Sequence, residues 1–148
     1  MNYRKATIKD KEVLAHMMTL LHDELPLQEA LDEYEYFLKN GVFFVACDGN
    51  EIVGYVHGVI RTDYVEGSEQ YQNPKVGYIE SLFVLSEYRK QGISRKLCKM
   101  LEDWSIEQGA VEFASDAYAD NTDSIEFHKA IGFEVSRPIV GFIKKLKK

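Results

Sequence analysis

Residues 78 to 109, YIESLFVLSEYRKQGISRKLCKMLEDWSIEQG, leave few folds open to the chain. Tyr78 to Leu85 is rich in β-branched and aromatic residues and short enough for one buried strand. Ile93, Leu97, Met100, Leu101 and Trp104 then recur at helical spacing among charged residues, which predicts an amphipathic helix from about Ser94 to Gln108 that Gly109 stops. Between them Arg89-Lys90-Gln91-Gly92-Ile93-Ser94 is a cationic, glycine-containing loop that opens onto a helix N-terminus. The free amides and positive dipole end of such a helix suit an anion, phosphate above all. One glycine is too few for a Walker A or a dinucleotide fingerprint, so two readings stand, a phosphate cradle and an ordinary β–α turn.

The flanking chain supplies the rest of a sheet and its helices. Asn2 to Ile8 alternates weakly as a first strand, and Val13, Leu14, Met17, Met18, Leu20 and Leu21 give a helix an apolar face as far as His22. Pro26 breaks that helix, and a second runs from Leu27 to about Asn40, before Gly41. Val42 to Cys47 and Glu51 to about Tyr64 read as strands joined by the turn Asp48-Gly49-Asn50. The polar stretch Val65 to Lys75 is a candidate flexible lip over a site. Beyond the central unit come a strand, Val111 to Ala117, a short helix led by Asp120 to Ser124 and closed by Gly132, and two β segments, Phe133 to Arg137 and Ile139 to Lys145.

At 148 residues with 45% hydrophobic content, the chain is expected to form one domain, 1–148, with a real core. No apolar run approaches the ~20 residues that span a bilayer, and the N-terminal residues lack the apolar stretch of a signal peptide, so the expected location is cytoplasmic and no membrane partner is expected. Cys47 and Cys98 form no CxxC or metal spacing; reduced, buried thiols and no metal are expected. The net charge is −6 although four of the last five residues are lysines, so the remainder carries about −10. That disfavours nucleic acid and suits a cationic partner, with plain acidic solubility as the alternative. Six acids and no base lie between Asp23 and Glu35, either a solvated helix face or a wall facing a cation.

Strand, cationic loop and helix, followed by a further strand and an Asn-led short helix, resemble the acetyl-CoA-binding core of the GNAT superfamily of N-acetyltransferases. The element order over the full chain agrees. The resemblance implies an α/β fold with a central splayed mixed sheet flanked by helices, acetyl-CoA as co-substrate and a homodimer that buries the apolar final segment. Phe113 to Ala117, Asp120-Asn121, the run Phe127 to Phe133, the stretch Ile60 to Gly67 and Glu80 look like one branch in particular, the aminoglycoside 6'-N-acetyltransferases. Ser94 stands where the family loop usually ends in Gly or Ala.

Acetyl transfer to an amine needs a neutral nucleophile, a site for the thioester carbonyl's developing charge and a proton for the departing thiolate. An alkylammonium with a pKa near ~10 must first lose a proton. Glu80 is the candidate base, because a carboxylate in an apolar strand faces either a polar cleft or a costly burial. Asp116, in an equally apolar predicted strand, is its candidate partner; the alternative for each is a structural hydrogen bond or ion pair. By position in the family, Leu82, Phe83 and Val84 with the loop Arg89, Lys90, Gln91, Gly92, Ile93 and Ser94 hold the cofactor. Asn121 is either a further cofactor contact or a plain N-cap. His128, where many relatives carry a tyrosine, is either the general acid or a solvent-facing histidine.

The resemblance places His22, Glu24, Tyr64, Glu80, Asp116 and Arg137 around the acceptor. His22 replaces an aromatic that the branch tends to carry, and Arg137 stands where the branch can offer an acid, so a cation there should oppose a polyamine. Transfer to a cationic, aminoglycoside-like amine is therefore weighed against transfer to a polyamine, an amino sugar or a protein amine, and against a non-catalytic acyl-CoA-binding module.

Overall fold

Alternate residues of the strand from Val42 to Asp48 bury into opposite layers, which sets the sheet in the middle of the molecule. Phe43, Val45 and Cys47 face one core together with Leu14, Met18, Ala30 and Tyr34. Val42 and Ala46 face the other, with Ile93, Leu97 and Leu101. The structure is a computed structural model in which residues 1–69 and 74–147 are described.

Its elements are β1 (Asn2–Lys5), α1 (Lys11–Leu21), α2 (Leu27–Lys39), β2 (Val42–Asp48), β3 (Glu51–Arg61), β4 (Val76–Val84), α3 (Ile93–Glu107), β5 (Glu112–Ala114) and α4 (Thr122–Ala130). The sheet order is β1-β2-β3-β4-β5. The first four strands pair antiparallel, and β5 joins β4 in parallel. The helices α1 and α2 cover one face, while α3, with Phe127 of α4 and Ile131 just past its end against the same core, covers the other. Mixed sheet and flanking helices agree with the fold expected from the sequence. Both cysteines are free and buried.

Two glycines let α3 lie close to the sheet. A Cβ at Gly58 would run into the Leu101 side chain, and one at Gly77 into Ser105. This close approach fixes where the N-terminus of α3 points. At the chain start, Arg4 donates to both carboxylate oxygens of Asp10, at 2.8 and 2.9 Å, while Asp10 also accepts from the Thr7 amide at 2.8 Å. These bonds tie β1 to the entry of α1.

The sequence expectations fail at the tail. Residues 133–147 form neither helix nor strand, in place of the two expected β segments. A strand needs a neighbour to take its backbone hydrogen bonds, and Ile139, Val140, Phe142 and Ile143 are 71–93% exposed, with no such neighbour among the described residues. The β5 strand is also shorter than expected, so Asp116 lies beyond its end, exposed and not in the apolar setting foreseen for it. Of the expected lip, residues 70–73 lie outside the described residues. Its near side is tied down, with the Ser68 hydroxyl and the Glu69 amide donating to Glu112 at 2.6 and 3.1 Å.

Candidate active site

β4 holds one residue more than the part of β3 it pairs with. His57 stands opposite Ser81 and Gly58 opposite Ile79, so Glu80 has no partner across the ladder. A bulge of this kind breaks the alternation and re-aims the extra side chain. Glu80 is accordingly exposed between buried Ile79 and half-buried Ser81. Its surroundings still strip some water from it: partial desolvation raises its pKa above the usual carboxylate value, Arg61 opposes the rise, and the Asp116 and Asp63 charges add to it. A carboxyl with raised proton affinity is a better base toward an ammonium ion than an ordinary surface glutamate.

Next to the bulge the sheet opens. β5 pairs with β4 only at Val76, Gly77 and Tyr78, opposite Glu112, Phe113 and Ala114. Farther along, the Leu85 amide donates to the Val53 carbonyl, so Leu85 looks toward β3. By alternation Val84 and Leu82 turn their backbone groups toward the side that β5 has left. Phe83, between them, pairs with Tyr55 of β3. The Val84 carbonyl is taken by Arg89 Nε at 2.9 Å, so Arg89 serves the wall of the opening and is not a freely extended cation.

The loop then enters α3. Lys90 and Gly92 adopt positive φ, 61° and 81°, and Gln91 donates to the Glu87 carbonyl at 3.4 Å. The first intrahelical bond runs from the Lys96 amide to the Gly92 carbonyl, which leaves the amides of Ile93, Ser94 and Arg95 pointing out of the helix without partners among the described residues. Arg95 itself donates to the Ala130 carbonyl at 2.8 Å and so joins α3 to the end of α4.

At the other end of α4, Asn121 Oδ1 accepts from the Ser124 amide at 3.1 Å and caps the helix. His128 has both ring nitrogens engaged. Nδ1 lies 2.7 Å from the Ser124 carbonyl, which can only accept, so Nδ1 donates; Nε2, 2.8 Å from the Ser115 hydroxyl, is then the acceptor. The ring is half-buried, near Phe127 and Phe133, and is not the solvent-facing histidine of the alternative reading.

Glu80 feels the charges of Arg61, Asp63 and Asp116, which belong to a larger polar group. Arg61 grips Asp63 through Nε and a terminal nitrogen, at 3.0 and 2.5 Å, and reaches the Tyr64 carbonyl at 3.4 Å. The Tyr64 hydroxyl donates to Glu66 at 3.3 Å, and Glu66 also pairs with Arg137 at 3.1 Å. Tyr78 donates its hydroxyl to Asp116. Arg137 therefore has a carboxylate partner, which weakens the repulsion expected from the sequence. His22 and Glu24 are exposed in the turn between α1 and α2, and no hydrogen bond or ion pair joins their side chains to this group among the described residues. Sequence reasoning passed over Tyr78 and gave no role to Arg61. The available signal was a polar-tipped aromatic two residues before Glu80 in an apolar strand, and an Arg-x-Asp pair at a strand end.

The chain is similar to known proteins over most of its length. The family model of the acetyltransferase (GNAT) family matches residues 12–133. An aminoglycoside N(6')-acetyltransferase type 1 of Acinetobacter genomosp. 13 is 33% identical over 84% of this chain and 83% of its own. One from Stenotrophomonas maltophilia is 34% identical over 94% of this chain and 90% of its own. Among solved structures, AAC(6')-Iy in complex with the bisubstrate analog CoA-S-monomethyl-acetylneamine superposes with a TM-score of 0.90 at 26% identity, over 98% of both chains. A family match over most of the length and relatives above 30% identity across more than two thirds of the chain show that it belongs to the acetyltransferase (GNAT) family.

Proposed function

We propose that this protein transfers the acetyl group of acetyl-CoA to a primary amine of a cationic, aminoglycoside-like small molecule. The observation that carries the proposal is Glu80, set out of the sheet by a bulge beside the opening between β4 and β5 and held at raised proton affinity among Asp116, Asp63 and Arg61. Glu80 accepts the ammonium proton, directly or through a water, and Asp116 helps to hold the cation. The Leu82 amide stabilises the charge that develops on the thioester oxygen, and Val84 offers its amide to the pantetheine arm. The exposed amides of Ile93, Ser94 and Arg95, with Lys90 nearby, receive the pyrophosphate.

His128 gives the departing sulfur its proton from Nε2. The Ser115 hydroxyl, 2.8 Å from Nε2, relays that proton toward the sulfur. Asn121 sits at the head of the same helix. Acids of the Asp23 to Glu35 stretch add to the field that draws a polycation, although Glu35 is already paired with Lys11 at 2.5 Å. Two copies bury the exposed tail segment against one another. No helix among the described residues is long and apolar enough to cross a membrane. Acetyl-CoA as co-substrate favours action in the cytoplasm.

The test is a panel of amines, including aminoglycosides with and without a 6'-amine, simple diamines and peptides, assayed for release of the CoA thiol. The proposal requires turnover of those that carry the 6'-amine. Turnover confined to diamines or peptides would move the assignment to another amine, and acetyl-CoA binding without any turnover would favour a binding module.

A further inference from the structure

Tyr78 is the last residue of β4 that β5 pairs with, opposite Ala114, and it is buried. Two residues past Ala114 the chain has left the sheet, and across the widening gap the Tyr78 hydroxyl reaches back to Asp116 Oδ2. The ring cannot swing away. Arg61 lies over its face with the guanidinium carbon 4.8 Å from the ring centre, and Arg61 is itself fixed by two bonds to Asp63. Burial first, and then the neighbouring Asp116 charge, raise the phenol's pKa above its ordinary value, so the tyrosine is the donor and the carboxylate the acceptor.

An exposed aspartate just past a strand end would otherwise sample several rotamers. Here one oxygen is held, and no second hydrogen bond to Asp116 is made among the described residues, so Oδ1 keeps its capacity to accept. We propose that Tyr78 is a positioning residue for the acceptor: its hydroxyl fixes the Asp116 carboxylate at the mouth of the opening between β4 and β5, so that Oδ1 meets an ammonium group of the substrate. The inference rests on the role given above to Asp116 in holding the cation. Preorganising a carboxylate lowers the cost of binding rather than the barrier of the chemical step, so its signature lies in the KM for the amine.

The experiment measures kcat, the KM for an accepted aminoglycoside and the KM for acetyl-CoA in Tyr78→Phe, in Asp116→Ala and in the double variant. Tyr78→Phe is expected to raise the amine KM roughly tenfold, the scale of one hydrogen bond to a charged group, and to leave the acetyl-CoA KM unchanged. In the Asp116→Ala background the same change should have no further effect. If Asp116→Ala raises the amine KM and Tyr78→Phe does not, the positioning role falls while the role of Asp116 stands. If Asp116→Ala leaves the amine KM alone, both fall. An equal rise from Tyr78→Phe in either background would mean that Tyr78 acts by another route, which also overturns the inference.

Discussion

Arg61 stacks on Tyr78, 4.8 Å from the ring centre, and from there its charge lowers the proton affinity that desolvation has raised at Glu80. The carboxyl is thus set between opposing neighbours, with Asp116 and Asp63 on the raising side. Removal of either kind should move the site's titration in a known direction. A base works deprotonated, so the acid limb of kcat/KM follows the Glu80 pKa. Arg61→Met should shift that limb to higher pH, and Asp116→Asn should shift it to lower pH. A limb unmoved by both changes would belong to some other group.

Gly92 adopts a φ of 81°, and a Cβ there would meet nothing within 4 Å. Gly92→Val therefore leaves the core intact but strains the left-handed turn that aims the amides of Ile93 and Ser94. Acetyl-CoA binding by calorimetry should weaken by about tenfold or more, with a far-UV spectrum like that of the parent. Unchanged affinity would remove the loop from the cofactor site.

The exposed tail carries an assembly prediction. Ile139, Val140, Phe142 and Ile143 are each more than 70% exposed, an apolar run that soluble chains rarely leave bare. Sedimentation velocity at micromolar concentration should show a dimer, and replacing Phe142 and Ile143 by Ser should give a monomer. A monomeric parent chain would contradict the proposed assembly.

Asp10 gives an acid-stability prediction. Hydrogen bonding from Arg4, opposed in part by desolvation, lowers its pKa below the ordinary aspartate value. A depressed carboxylate contributes stability above its unfolded pKa, near ~4, and loses that contribution as pH falls through the folded value. Asp10→Ala should lower stability at pH 7 by about 2 kcal/mol, since it also leaves the Thr7 amide and Arg4 without their acceptor. The difference between variant and parent should shrink in denaturant melts below about pH 4.

The central unit was legible because its signals are local. The helical spacing of Ile93, Leu97 and Leu101, the stop at Gly109 and the cationic loop appear in the structure as α3 and its N-terminus. Glu80 was legible for a related reason, since a carboxylate among Ile79, Leu82 and Phe83 needs an explanation. The bulge that supplies it was not, because register is a relation between two strands and Gly58 carries no mark of facing Ile79. The same holds for Tyr78 and Asp116, which are 38 residues apart and meet only through parallel pairing. The partner of Arg137, Glu66, comes from a distant loop, so the sequence shows the cation without the carboxylate beside it. The tail has strand composition, yet strands are made by partners, and among the described residues this segment has none.

The most direct measurement is the steady-state kinetics of Glu80→Gln with an aminoglycoside that bears a 6'-amine. The substitution keeps size and hydrogen-bonding capacity but cannot take up the ammonium proton. If Glu80 is the base, kcat should fall by roughly 100-fold or more, the usual worth of general-base catalysis, while the KM for acetyl-CoA stays unchanged. A kcat within a few-fold of the parent would contradict proton transfer at Glu80 and leave the bulged carboxylate no part in the chemistry.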